Sequence, residues 1–263
     1  MDRFTKAVKW VLEAEELLHV IQTENWEIAE KSGPQDIVTR CDRELERLLR
    51  QRIQSCFPDD RIVGEEYPEE GHGDVSWYID PIDGTTNFVN QRSNYAISVG
   101  CAVNGQPLFG IVRDVERQRT YTAQKGGGAW LDGKRLHTSA AVQIRDMLLT
   151  TPCVTDLFLT GHEKREGFSR LAMDVRAVRS MGSVALELCE VAAGRAELCA
   201  AMKSAPWDHN AARLILSEAG GEIRRLDGEK LPLEEQSAFL AGNSLETVKK
   251  VLADYLGRRG GVD

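Results

Sequence analysis

The chain has 263 residues, with 33 Lys and Arg against 41 Asp and Glu, for a formal net charge of −8. Apolar residues make up 42% and charged residues 28%, the texture of a folded globular protein and not of a disordered or fibrous one. No basic excess marks a nucleic-acid binder, so direct nucleic-acid binding is not expected. A chain of this length can bury a full core without disulfide staples.

The cysteines at 41, 56, 101, 153, 189 and 199 form no C-x-x-C pair and fit no zinc module. They read as small apolar core residues of a reducing compartment. The N-terminus carries charges throughout, unlike a signal peptide. The longest uncharged run, over 93–112, contains Asn94, Asn104, Gly105, Gln106 and Pro107, which predicts a hairpin and no membrane span. A cytoplasmic location is the expectation.

Phe4, Val8, Val11, Leu18 and Ile21 recur at helical spacing, which predicts one amphipathic helix through the first thirty residues, ended by Gly33-Pro34. A second helix is predicted with Leu45, Leu48, Leu49, Ile53 and Cys56 on one face. Thr39, followed three residues later by Asp42, would cap it. Val75, Trp77 and Ile79 then alternate, as do Tyr95, Ile97, Val99, Cys101 and Val103, and Asn104-Gly105 turns the chain into a partner strand over 108–112. Short strands are predicted over 120–123 and 129–131, with Asp132-Gly133 as the next turn, giving an antiparallel meander. Gly126-Gly127-Gly128 has no following Lys-Ser/Thr and reads as a turn, not a phosphate loop.

From about residue 146 strands and helices alternate. A strand is predicted over 147–151, helices over 166–174, 184–193 and 208–219, the last stopped by Gly220-Gly221, then a strand over 238–241 and a helix over 245–256 capped by Asn243. The expectation is an α+β chain forming a single domain over 1–263, with an antiparallel half over 1–145 and an α/β half over 146–263, its helices and sheets in layers.

Acids recur where predicted strands end or helices begin: Gly64-Glu65-Glu66 after Ile62-Val63, the run from Asp80 to Asn87, and Trp207-Asp208. Pro81 holds Asp80 extended at the end of its strand, and Asp83 can project beside it with the Ile82 carbonyl between. Hard oxygen ligands so spaced suit Mg²⁺. Gly84-Thr85-Thr86 opens a helical turn whose N–H groups can receive a phosphate. Taken singly, each has a plainer reading: Asp83-Gly84 as a turn, Asp208 as a helix cap, Glu65-Glu66 as a solvated loop. The histidines at 19, 72, 137, 162 and 209 lack zinc-ligand spacing, and Gly182-Ser183 lacks a hydrolase elbow. Glu65 and Asp83 could nominally serve as the acid pair of a glycosidase, but clustered carboxylates are reconciled better by a divalent cation than by shared protons.

The run Asp80-Pro81-Ile82-Asp83-Gly84-Thr85-Thr86-Asn87-Phe88 resembles the metal-binding signature of the inositol monophosphatase family. The resemblance spans nearly the whole chain, through residues 31–42, Gly64-Glu65-Glu66, residues 126–129, Arg179 to Ser183, Trp207-Asp208 and residues 218–221. It implies a layered αβαβα sandwich and a Mg²⁺-dependent, lithium-inhibited phosphomonoesterase, commonly dimeric. Glu65, Asp80, the Ile82 carbonyl, Asp83 and Asp208 are the implied ligands of two or three Mg²⁺ ions. Thr85 with Asp42 would orient and deprotonate the attacking water, Glu66 would support it, and the N–H groups of Gly84 and Thr85 would hold the phosphate.

On the alcohol side the pattern departs. Ala201 stands where animal members carry a Glu for ring hydroxyls, and Ser183 and Val184 replace the usual Thr and Ala. Inositol 1-phosphate or a similar small sugar or polyol phosphate is the expected substrate. Fructose 1,6-bisphosphate, 3′-phosphoadenosine 5′-phosphate and NADP are the alternatives, with Lys203 either a contact for a second phosphate or sugar hydroxyl or a plain surface lysine. A protein-binding role in transcription is the alternative of another class.

Overall fold

A computed structural model describes residues 2–23, 28–33, 36–159 and 164–257, with residues 31–33 and 36 described by backbone alone. Helix α1 (Arg3–Gln22) starts at Asp2, whose carboxylate accepts the Thr5 N–H at 2.9 Å, and it buries Trp10, Val11, Ala14, Leu18 and Ile21. The expected thirty-residue helix stops at Gln22. The Thr23 hydroxyl takes the Val20 carbonyl at 2.7 Å, and the apolar period ends at Ile21. Beyond it, β1 (Ile28–Gly33) pairs antiparallel with β2 (Asp36–Thr39), so Gly33 sits at a hairpin; Pro34 lies outside the described residues.

Helix α2 (Arg40–Cys56) carries the expected capping box. Thr39 N–H and hydroxyl donate to Asp42 Oδ2 at 2.8 and 2.6 Å, and Thr39 Oγ1 accepts the Cys41 N–H at 3.1 Å. Its buried face is Leu45, Leu49 and Ile53, with Leu48 partly covered; Cys56, at the last turn, is exposed.

The first sheet runs in the order β3 (Arg61–Gly64), β4 (Val75–Asp83), β5 (Ala96–Val103), β6 (Gln106–Asp114), β7 (Arg119–Gln124), β8 (Gly128–Leu131) and β9 (Lys134–Arg135). All neighbours are antiparallel except β3 and β4, which are parallel, so the predicted meander holds and gains a parallel edge strand. Asn104-Gly105 and Asp132-Gly133 both take the left-handed conformations of tight hairpin turns. The short helix α3 (Thr85–Asn90) links β4 to β5.

The second sheet has the order β11-β10-β12-β14-β13. Its strands are β10 (Leu148–Thr150), β11 (Ala177–Arg179), β12 (Leu198–Ala201), β13 (Glu222–Arg225) and β14 (Phe239–Gly242). With them go α4 (Val154–Phe158), α5 (Arg165–Asp174), α6 (Val184–Ala192), α7 (Pro206–Glu218) and α8 (Leu245–Val251), which continues as a π-type turn over Leu252–Leu256. Ser244, not Asn243, caps α8: its Oγ accepts the Thr247 N–H at 3.1 Å. Asn243 instead donates to the carbonyls of Ser139 and Ala141 at 2.9 and 2.8 Å.

Three apolar cores separate five layers. Helices α1 and α2 pack Leu18, Leu45, Leu49 and Ile53 against Trp77, Ile79, Val99 and Ile111 on one face of the first sheet. The other face meets α6 and α7, which also cover the second sheet through Leu188, Ile215 and Phe239. Helices α5 and α8 close the far side through Phe168, Leu171, Val248 and Val251. This is the expected αβαβα sandwich, and it explains why β4 loses the predicted alternation: from Ser76 to Asp83 every residue is buried, because both sheet faces are covered.

Helix α7 lies unusually close to the first sheet. A Cβ on Gly110 would sit 2.2 Å from the Ala211 carbonyl oxygen, and one on Gly100 3.0 Å from the Ala211 nitrogen. Cys41, Cys101, Cys189 and Cys199 are buried as expected, but Cys56 and Cys153 are exposed, both at helix ends where the apolar face runs out. Among the described residues no helix is long and apolar enough to cross a membrane.

Candidate active site

The site is built on an irregularity in β4. In a regular strand Asp80 and Asp83, three residues apart, would face opposite sides of the sheet. Here Asp80 pairs with Ser98 and Asp83 with Ala96, so three steps on β4 match two on β5. The extra residue is a β-bulge at Pro81-Ile82, and it returns both acids to the same face. Ile79 and Ile82 point into the α1–α2 core, while Ala96, opposite Asp83, belongs to the α6–α7 core. The expected strand end at Asp80 is therefore a bulge, and the strand continues to Asp83.

The helices of the middle layer bring their N-terminal ends to this face. Asp83 Oδ2 accepts the Ser183 hydroxyl at 2.5 Å and the Ala185 N–H at 2.6 Å, and its Oδ1 accepts the Val184 N–H at 3.2 Å. Ser183 and Val184 thus serve Asp83 and the start of α6. Pro206 opens α7 two residues before the expected start, which makes Asp208 the third helical residue and not the cap. Its Oδ2 accepts the Ala205 N–H at 2.7 Å. Asp80 Oδ1 accepts the Ile82 N–H at 3.0 Å.

Asp42 reaches the same place from the start of α2. Its Oδ2 is held by Thr39, and its Oδ1 accepts the Thr85 hydroxyl at 3.2 Å; that hydroxyl also lies 3.1 Å from the Ile82 carbonyl oxygen. Gly84, at φ +96°, caps α3 in a conformation that side chains resist, and a Cβ there would press on the carbonyls of Asn94 and Gly182. Thr86 is exposed on the first turn of α3. Glu65 lines the adjacent cavity, and the Glu66 N–H donates to Glu46 at 2.7 Å.

The electrostatics of the cluster are unfavourable by construction. Burial pushes the Asp80 carboxyl well up, and the charges of Glu65, Asp83, Asp208 and Asp42 push it further. Asp208 is raised by burial and then by Asp83 and Glu65. Burial also raises Asp83, against the lowering effect of its hydrogen bonds from Ser183, Ala185 and Val184. Asp42 is pushed up to about 6 by burial, with the Thr39 hydrogen bonds opposing. Among the described residues none of Asp42, Asp80, Asp83 and Asp208 forms an ion pair. Acids so crowded fit a divalent cation by charge and by their hard oxygen donors. Among the described residues no three acidic, His or Cys side chains already converge as a coordination cage, since each carboxylate is turned to a local donor.

A cavity of about 620 Å³ opens beside the acids, lined among others by Glu65, Asp208, Trp207, Lys203, Arg61 and Glu234. Arg61 is already matched by Glu69 and Glu234. Ala201 is not brought to this cavity. It is 1% exposed and packs in the middle core at the end of β12, opposite Phe239. Two further acids were not singled out from the sequence. Glu46, buried beside Arg50 at 2.7 Å, holds the Glu66 backbone, and a signal for it exists: Asp42, Glu46 and Arg50 recur every four residues on one face of α2. Glu187 is buried in α6 and holds the Met181 backbone; nothing in the local pattern marks it.

The sequence pattern of the inositol monophosphatase family matches residues 1–257. The chain belongs to this family. It is 37% identical to the inositol-1-monophosphatase of Bacillus subtilis (strain 168), over 96% of each chain. It is 32% identical to the fructose-1,6-bisphosphatase/inositol-1-monophosphatase of Thermotoga maritima, over 99% of this chain and all of that one. The solved inositol monophosphatase II of Staphylococcus aureus superposes with a TM-score of 0.86 at 31% identity, over 97% of this chain and 94% of its own. This member of a family of metal-dependent phosphatases is a phosphoric monoester hydrolase.

Proposed function

We propose that the chain is a Mg²⁺-dependent phosphatase of inositol 1-phosphate and similar small sugar or polyol phosphates. The observation that carries this reading is the group of acids, Asp42, Asp80 and Asp83 buried and Asp208 partly buried, that have no cationic partner among the described residues. Glu65, Asp80, the Ile82 carbonyl, Asp83 and Asp208 would hold two or three Mg²⁺ ions. Bound there, the metal would offset the charge of the phosphate and ease the deprotonation of water.

The chain's own groups do the rest. The Thr85 hydroxyl donates to Asp42, which leaves its oxygen free to accept a hydrogen bond from water and so to aim the water's oxygen. As that oxygen attacks phosphorus, its proton passes to Thr85 Oγ1 and the Thr85 proton to Asp42 Oδ1. The bond from phosphorus to the alcohol oxygen breaks, and the alkoxide takes a proton from solvent. Burial raises the Asp42 carboxyl, which favours it as the group that takes this proton. The N–H groups of Gly84 and Thr85, with Thr86 beside them, would hold the phosphate. Glu66 would support the water.

Lys203 favours a second reading of the substrate. It is exposed on the cavity wall, forms no ion pair among the described residues, and faces the same space as Glu65 and Asp208. With Ala201 buried in the core, the alcohol side offers a cation instead of a hydroxyl-binding carboxylate. That suits a substrate with a second anionic group, such as fructose 1,6-bisphosphate, 3′-phosphoadenosine 5′-phosphate or NADP. A cytoplasmic, lithium-inhibited homodimer completes the proposal.

Phosphate release from inositol 1-phosphate tests the reading, measured with Mg²⁺, with EDTA, and for Asp83→Asn. Loss of activity in the last two is expected; activity that survives both rejects the metal mechanism. Side-by-side kcat/KM values decide between monophosphate and bis-anionic substrates.

A further inference from the structure

One buried carboxylate lies outside the machinery described so far. Glu187, on α6, is 0% exposed, and its Oε1 accepts the Met181 N–H at 2.6 Å. Cys199 Sγ lies 3.9 Å from its Oε2. No cation faces it among these partners. We propose that Glu187 is a positioning residue: it fixes the Met181-Gly182 turn, and through that turn the orientation of Asp83 and the Mg²⁺ affinity of the site. The inference rests on the metal-dependent reading above.

The connection is continuous and short. Met181, whose N–H is held by Glu187, accepts the Asn87 side-chain N–H at its carbonyl oxygen at 2.5 Å. Gly182, at φ +78°, turns the chain, and its carbonyl oxygen lies 3.2 Å from where a Cβ on Gly84 would stand. The next three residues, Ser183, Val184 and Ala185, supply the donors that hold Asp83 among the described residues. The segments 83–87 and 181–185 are thus joined at Asp83 and again at Asn87, and the outer end of the joint is anchored on Glu187.

The anchor must be an acceptor. The Met181 N–H points at this buried spot, and an apolar side chain there would leave it unpaired. A turn freed in this way changes the donors that Asp83 meets without touching any residue of the cavity. Removing such outer supports typically costs 10–100-fold in metal affinity or activity.

The test compares Mg²⁺ titrations of the wild type, Glu187→Ala, Glu187→Gln and Val191→Ala. Binding is read by calorimetry and by the rise in melting temperature, alongside the Mg²⁺ dependence of phosphate release. Glu187→Ala is expected to weaken Mg²⁺ half-saturation by about 10-fold or more. Glu187→Gln, which keeps an oxygen for the Met181 N–H, is expected to stay within about threefold of the wild type, well inside that range. Val191→Ala, a cavity on the same helix, is expected to lower the melting temperature and leave half-saturation in place.

Wild-type affinity in Glu187→Ala, equal loss in Glu187→Gln, or an equal shift in Val191→Ala overturns the inference. Should Glu187→Ala fail to fold, Glu187→Asp decides. Weaker Mg²⁺ binding by a folded chain supports the role, and unchanged binding refutes it. A wild-type chain that neither takes up Mg²⁺ nor releases phosphate defeats the proposed function as a whole. One that does both, with Glu187→Ala matching it, defeats this inference alone.

Discussion

Replacing Asp42 by Asn separates folding from chemistry at one atom. Asp42 Oδ2 serves Thr39, and Oδ1 serves the Thr85 hydroxyl. An amide turned with its oxygen toward Thr39 keeps the helix cap and presents to Thr85 an NH₂ group that cannot take a proton. Turnover with Mg²⁺ is expected to fall by about 10²–10⁴, the usual loss for a general base.

Stability moves the other way. Burial raises the Asp42 carboxyl from 3.8 to about 6, so the folded chain holds that proton more tightly than the unfolded chain does. Without metal, the wild type therefore loses stability as pH rises from about 4 to about 6 and stays at the lower level above it. A shift of about two pH units corresponds to about 3 kcal/mol. Asp42→Asn escapes that penalty. In EDTA at about pH 8 it is expected to exceed the wild type by up to about 3 kcal/mol, and at about pH 4.5 by only about 1 kcal/mol. Urea denaturation at the two pH values measures the difference, and phosphate release measures the activity. Wild-type turnover would remove Asp42 from the proton path. A variant less stable than the wild type at the higher pH would show that the buried charge is no burden.

Chelation is expected to abolish phosphate release, and added Mg²⁺ to restore it and raise the melting temperature; a rate indifferent to EDTA contradicts this. Gly110→Ala places a methyl group 2.2 Å from the Ala211 carbonyl oxygen. It should cost about 1–3 kcal/mol in urea denaturation and, because α7 carries Asp208, reduce activity in the folded fraction. Lys203→Gln should cut the kcat/KM ratio of fructose 1,6-bisphosphate to inositol 1-phosphate by about tenfold, about 1.4 kcal/mol; an unchanged ratio returns Lys203 to the plain surface.

Local chemistry made much of this architecture readable from the residues. The Thr39–Asp42 capping box, the Asn104-Gly105 and Asp132-Gly133 turns and the long strands of the first sheet depend on neighbours in sequence. The β1–β2 hairpin and the strands β11, β12 and β13 did not announce themselves. Each is six residues or shorter, and partners far along the chain stabilise those of the second sheet. In the site, the run from Asp80 to Thr85 was legible because its members lie side by side. The position of Ala201 was not: the family resemblance implied a place on the alcohol side, but the pleat of β12 turns Cys199 and Ala201 together into the middle core. Glu187 escaped notice because its partners come from a turn and from a strand of another layer.

The bulge at Pro81-Ile82 makes chain length, as much as chemistry, a determinant of the centre. Swapping one side chain there would alter a contact, whereas dropping a single residue would rotate an acid to the far face and leave the remaining composition almost untouched. Inheritance of this centre should therefore tolerate spelling changes around the two aspartates and forbid insertions or deletions between them.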